Sequence, residues 1–202
     1  MKRVGDLERK YVLDVLDSQF RTSQGAVYMT RFESAFSDKF KSKFAISHVN
    51  GTATMHSTLE ASGIGPGDEV IVPPLTMSAT SLAVLHANAT PIFADIDIDT
   101  FVIDAKSIEE KITERTKAII TVALYGLSPD MDPIMDIARK HNLLVIEDNA
   151  QAFLSYYKDR LVGTLGHAAS FSFQSSKHLT AGEGGIITTN DEDLAIRIRK
   201  VT

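Results

Sequence analysis

The run Ala118-Ile119-Ile120-Thr121-Val122-Ala123-Leu124 is followed, after a helical pattern over residues 130–141, by Leu143-Leu144-Val145-Ile146-Glu147-Asp148. Both runs have strand length and are almost unbroken in apolar side chains. That is the pattern of strands covered on both faces rather than one. Outward from this unit the alternation repeats. Toward the N-terminus lie strands Ala45-Ile46-Ser47-His48-Val49, Glu69-Val70-Ile71-Val72-Pro73 and Pro91-Ile92-Phe93-Ala94-Asp95. Helical patterns cover 53–62, about 78–86 and 105–113, the first stopped by Gly63-Ile64-Gly65-Pro66-Gly67-Asp68. Toward the C-terminus come a hairpin-like excursion over 155–162 around Lys158-Asp159-Arg160, an alternating strand through Phe171 and Phe173, strand 185–189 and helix 191–200. The whole predicts an α/β fold of three layers, a mostly parallel sheet with helices on both faces.

Two helices precede this alternation. Residues 6–20 carry Leu7, Tyr11, Val12, Val15, Leu16 and Phe20 at helical spacing, an apolar face expected to pack. After a turn at Gln24-Gly25-Ala26, residues 30–43 carry Phe32, Phe36 and Phe40 four apart, a stripe that reads as core.

Composition narrows the function classes. The 202 residues are 44% hydrophobic and 23% charged, ordinary for a globular protein. A net charge of −5 gives no electrostatic case for nucleic acid or for an anionic membrane. Without cysteine there are no disulfides, thiolate metal sites or thiol nucleophiles, and no metal site is expected. The start Met1-Lys2-Arg3-Val4-Gly5-Asp6-Leu7-Glu8-Arg9-Lys10 lacks the apolar core of a signal peptide, and no apolar run has the length of a membrane span. A cytoplasmic location is the expectation.

Three features carry chemistry. In Ser170-Phe171-Ser172-Phe173-Gln174-Ser175-Ser176-Lys177-His178-Leu179-Thr180-Ala181-Gly182-Glu183-Gly184-Gly185, one lysine sits between a strand and a glycine cluster. Alone, Lys177 is a solvated loop lysine. Held and partly desolvated, its amine becomes a nucleophile for carbonyls. Asp148 ends the most apolar strand of the chain, at the carboxyl edge where ligands of such sheets bind. Its alternative role is a structural ion pair or a cap. Asn50-Gly51-Thr52-Ala53 joins a strand to a helix start, where unpaired N–H groups and the helix dipole favour an anion. Thr52 is otherwise an N-cap, and His56, inside the helix, reads as structural. Pyridoxal phosphate asks for all three: donors for its phosphate, a carboxylate beside its ring nitrogen, and a lysine for its aldehyde.

Through Asn50-Gly51-Thr52-Ala53, Gly63 to Pro73, Val145-Ile146-Glu147-Asp148-Asn149-Ala150-Gln151-Ala152 and Phe171 to Gly185, the chain resembles the DegT-type sugar aminotransferases, fold-type-I pyridoxal-phosphate enzymes. The resemblance covers residues 28–202. It implies a Schiff base and proton shuttling at Lys177, Asp148 at the pyridine nitrogen and Gln151 near the ring hydroxyl. Gly51, Thr52, Ala53 and Ser172 would hold the phosphate, and Met77 would stack on the ring. Met77 stands where the family usually has an aromatic, and Phe153 where histidine is common. A sister group of sugar dehydratases carries histidine in place of the lysine, but the residues flanking Lys177 fix the register against His178.

By the same resemblance, residues 1–27 are an N-terminal helical segment. Residues 28–202 are a cofactor-binding large domain incomplete at its C-terminus, without the small C-terminal domain. The expected activity moves an amino group from glutamate or glutamine to a nucleotide-linked keto-sugar or a cyclitol ketone, in a homodimer. The alternatives are a non-catalytic cofactor-binding or regulatory member of the fold, an inactive fragment, or a phosphate-ligand enzyme using Lys177 in aldolase-like chemistry. Asp148 argues against the last, since an aldolase needs no pyridinium partner.

Overall fold

The computed structural model describes residues 4–18 and 26–202. In chain order the elements are α1 (Asp6–Asp17), α2 (Val27–Phe40), β1 (Phe44–His48), α3 (Gly51–Ala61), β2 (Glu69–Val72), α4 (Ala79–His86), β3 (Thr90–Phe93) and α5 (Ala105–Lys111). They continue with β4 (Thr116–Val122), α6 (Met131–His141), β5 (Leu144–Asp148), β6 (Tyr156–Tyr157), β7 (Arg160–Leu161), β8 (Ala168–Ser172), β9 (Gly185–Thr189) and α7 (Glu192–Val201). Seven strands form one sheet in the order β1-β9-β8-β5-β4-β2-β3, while β6 and β7 make a separate hairpin.

Strands β3, β2, β4, β5 and β8 are mutually parallel, and β9 runs antiparallel between β8 and β1. Side chains alternate across the sheet, so each strand feeds two cores. Ile71, Ile119 and Val145 pack against Ile108 of α5 and Met131, Ile134 and Ile137 of α6. Val70, Val72, Ala118, Ile120 and Ile146 meet Met55 and Leu59 of α3 and Ala83 and Val84 of α4. α2 joins the first layer through Phe36 and Phe40, against Phe171 and Phe173. α7 joins the second, packing Leu194, Ala195 and Ile198 on Ile46 and Ile187. The expected three layers are present, with the antiparallel β9 as the break in the parallel run.

The N-terminal helix departs from expectation. α1 buries none of its residues, with Leu7 56%, Val12 60% and Leu16 50% exposed. Periodicity shows that a face is apolar but not what covers it. It touches α2 through the Tyr11–Tyr28 ring contact and the hydrogen bond from the Tyr28 hydroxyl to Asp14 Oδ2 (2.6 Å). Phe20 and the turn at Gln24-Gly25 lie outside the described residues. Of the stripe expected to be core, Phe36 and Phe40 are buried, Phe36 stacking on Phe40 with centroids 4.5 Å apart and meeting Phe171 edge-on at 4.9 Å, whereas Phe32 at the outer end is exposed and edges onto Phe173. Phe153 belongs to this same cluster, 5.6 Å from Phe40.

Candidate active site

The carboxyl ends of β2, β4, β5 and β8 face one cavity of about 340 Å³, within the range of small-molecule sites. Gly51, Thr52, Met77, Asp148, Gln151, Ser172 and Lys177 all line it. Of the cofactor-site residues expected from the sequence, only Ala53 does not. Its N–H is already bonded to Asn50 Oδ1 (2.8 Å).

That bond also settles which residue caps α3. Asn50, in extended conformation, is the N-cap, and Thr52 lies inside the first turn. With Ala53 capped, the N–H groups of Gly51 and Thr52 are the ones left without intrahelical partners. The Gly51 carbonyl accepts from Thr54 Oγ1 (2.6 Å) and Ser170 Oγ (3.3 Å). Since the C=O and N–H of one peptide plane point in opposite directions, fixing that carbonyl also fixes the Thr52 N–H. The turn is tightly seated. A Cβ at Gly51 would stand 3.0 Å from Ser172 Cβ, and one at Gly185 only 2.4 Å from the Asn50 carbonyl oxygen.

Lys177 rises from a loop folded back on the end of β8. Phe173 N–H bonds the Gly184 carbonyl (2.8 Å), Ala181 N–H bonds the Phe173 carbonyl (2.9 Å), and Lys177 N–H bonds the Gln174 carbonyl (2.9 Å). Gln174 Oε1 accepts from the Ser176 N–H (2.8 Å) and hydroxyl (2.6 Å). The loop is thereby a rigid mount, and Lys177 is half-buried on it. A second opening, lined by Tyr125, Gln151, Lys177 and His178 among others, adjoins the cavity and shares its lysine.

Asp148 is 5% exposed. Burial pushes its carboxyl up, opposed by the Ala150 N–H, the Thr80 hydroxyl and the charge of Lys177. Its neighbour Glu147 points to the other face of the sheet, where both oxygens are taken by the N–H groups of Gly163, Leu165 and Gly166 at 2.7–2.8 Å. Adjacent carboxylates thus divide their work: Glu147 ties down the 163–166 turn, and Asp148 faces the cavity.

Sequence reasoning missed Thr80 and Tyr125. Thr80 Oγ1 donates to Asp148 Oδ2 (3.1 Å), and a hydroxyl inside a helix carries no sequence signal for that. Tyr125, 87% exposed, holds φ +51° ahead of Gly126 at φ +92°. Its N–H is bonded to Gln151 Oε1 (3.1 Å). That bond leaves the Gln151 amide NH₂ as a donor and helps hold a backbone conformation costing about 1–2 kcal/mol in a non-glycine residue.

The donor set fits pyridoxal phosphate: a helix start with two free N–H groups and a nearby hydroxyl, a buried carboxylate, and a lysine, around a cavity of suitable size. The fold is that of pyridoxal-phosphate aminotransferases. The model of the DegT/DnrJ/EryC1/StrS aminotransferase family matches residues 2–202, and the chain belongs to that family. It is 50% identical over 197 residues to a GDP-perosamine synthase of Caulobacter vibrioides, covering 98% of this chain and 53% of that protein. An aminotransferase from Psychrobacter cryohalolentis superposes with a TM-score of 0.92 at 43% identity, over 97% of this chain and 50% of the other. NtdA from Bacillus subtilis, solved with bound cofactor PMP, superposes with a TM-score of 0.86 at 35% identity, over 97% and 45%. The chain spans about half the length of the relatives it matches.

Proposed function

We propose that this chain is the cofactor-binding part of an aminotransferase that moves an amino group from glutamate or glutamine to a keto-sugar carried on a nucleotide, or to a cyclitol ketone. The observation that carries the reading is the shared cavity of Asp148, Lys177 and the free N–H groups of Gly51 and Thr52. Pyridoxal phosphate, when bound, supplies an electron-withdrawing pyridinium ring and an aldehyde carbon through which amino groups are exchanged.

The protein's own residues divide the remaining work. Gly51 and Thr52 N–H groups and the Ser172 hydroxyl would hold the phosphate, aided by the positive end of the α3 dipole. The Asp148 carboxylate would accept from the ring N–H and keep it protonated. The Gln151 NH₂ would donate toward the ring hydroxyl, and the Met77 thioether would cover the ring. Lys177 Nζ would hold the cofactor's aldehyde and would serve as the base that carries a proton between substrate and cofactor. The assembly proposed is a cytoplasmic homodimer; among the described residues no helix is long and apolar enough to cross a membrane.

A non-catalytic, cofactor-binding role is the second reading, favoured by Met77, which offers a thioether where relatives stack an aromatic. One experiment separates the two. After borohydride reduction in the presence of pyridoxal phosphate, the peptide containing Lys177 should carry the cofactor's mass, and Lys177→Ala should carry none. Glutamate or glutamine should bleach the visible band of the holoprotein. A label on some other lysine defeats both readings, and a Lys177 label with no bleaching by either donor favours the second.

A further inference from the structure

Asp148 is held by more than its strand. We propose that Thr80, backed by Thr76, is a positioning residue of this site, whose hydroxyl keeps the Asp148 carboxylate ionised and aimed so that the cofactor's ring nitrogen remains protonated. The inference rests on the function proposed above and extends it to Thr80, which is fully buried, and to Thr76, which is part of the cavity lining.

The geometry is explicit. Thr80 Oγ1 lies 3.1 Å from Asp148 Oδ2, and the Ala150 N–H lies 3.1 Å from Oδ1. Each carboxylate oxygen thus has one protein donor and keeps a lone pair for the cavity. Thr76 Oγ1 is 3.1 Å from Thr80 Oγ1. A hydroxyl has one proton, and an ionised carboxylate is acceptor-only, so Thr80 donates to Asp148. The bond between the hydroxyls must then run from Thr76 to Thr80. Two hydroxyls aligned in one direction polarise each other toward the carboxylate. Thr80 is fully buried, so no water replaces its proton if it is lost.

The charged groups around Asp148 make the donor matter. Lys177 lines the same cavity and favours the ionised carboxylate, and Glu183 is the other charged side chain among the lining residues. Glu147 is turned to the other face and is occupied by its own three donors. Burial works against the charge throughout. One proton is shared between ring nitrogen and carboxylate. Removing the Thr80 donor weakens the anion, and that proton passes from nitrogen to Oδ, leaving a neutral acid and a neutral ring.

The test uses the holoprotein reconstituted with pyridoxal phosphate isotopically labelled at the ring nitrogen, read by nitrogen NMR. Thr80→Val keeps the shape and deletes the hydroxyl. The signal should move toward the unprotonated position, a change of about tenfold in the sharing equilibrium, or about one pKa unit. Thr76→Val should move it the same way by less, and Thr80→Ser should restore the wild-type signal. An unmoved signal in Thr80→Val, or a shift in Thr80→Ser equal to that of the valine variant, overturns the proposal. Should Thr80→Val fail to take up cofactor, Thr76→Val decides, and an unmoved signal there overturns it. The mass label on Lys177 is read separately. A wild-type protein without it brings down the functional reading and this inference together, whereas labelled proteins with unmoved signals bring down this inference alone.

Discussion

At the scale of single residues, two glycines near the candidate site make opposite demands. Gly185 is needed for space: an added Cβ would meet the Asn50 carbonyl oxygen at 2.4 Å and the Gly51 nitrogen at 2.9 Å. Gly182 is needed for conformation: its φ is +86°, and an added Cβ would meet nothing within 4 Å. Gly185→Ala should therefore cost about 1–3 kcal/mol by overpacking and also weaken cofactor binding, because the atoms displaced belong to the proposed phosphate turn. Gly182→Ala should cost about 1 kcal/mol of backbone strain. Urea unfolding of both variants measures the first effect and cofactor titration the second. Equal affinity in Gly185→Ala and wild type would show that the turn shifts without consequence. The glycine cluster itself was legible in the sequence, but not which glycine served which purpose. Thr52 reads as a possible cap for a similar reason: Asn50 and Thr52 are both capping residue types, and only the extended backbone at Asn50 distinguishes them.

At the scale of elements, the hairpin of β6 and β7 is clamped to the start of α6. Lys158 and Arg160 both bond Asp132, the Tyr157 hydroxyl bonds Asp130, and both cations lie over the Tyr157 ring at about 5 Å. The bond from Lys158, then that from Arg160, holds the Asp132 carboxyl at about 2, against an ordinary 3.8. A carboxyl depressed in the folded state adds stability above its unfolded pKa and loses it as pH falls through the folded one. The stability difference between wild type and Asp132→Asn should thus be constant above pH 3.8 and vanish as pH drops to about 2. Urea midpoints taken at successive pH values check this, and a difference independent of pH would assign the clamp to packing instead. The excursion was legible from its charged tip, whereas its partner Asp132 was not, since the pairing spans most of a helix and a strand in sequence. Strand direction was similarly hidden. Gly185–Thr189 reads as one more apolar strand, and only the short return from β8 makes it antiparallel. The exposed face of α1 shows the same limit, because amphipathicity was read correctly and its burial was not.

At the scale of the molecule, the candidate site belongs to no single element. Its proposed phosphate turn follows β1, its carboxylate ends β5, the hydroxyl bonded to that carboxylate comes from α4, and its lysine follows β8. The chemical identity of these groups was readable because each sits in a compact local motif. Their convergence was an expectation from the single cofactor that asks for all of them, and Thr80 escaped because it bonds Asp148 from a helix remote from it in sequence. A site assembled from such scattered segments exists only in the folded chain, so a ligand that uses all of them binds the native state and not the unfolded one. Mass action then fixes the size of the effect: at a free concentration of about one hundred times Kd, pyridoxal phosphate should stabilise the fold by about 2.7 kcal/mol. For a chain of this length that corresponds to a rise in Tm of roughly 5–10 °C. Asp148→Asn, which preserves shape but removes the charge opposite the ring nitrogen, should lose part of this increment, and Lys177→Ala more of it, with the phosphate turn still contributing in both. Calorimetry across a cofactor titration measures all three. If wild type and Lys177→Ala gain the same increment, Lys177 makes no bond to the ligand.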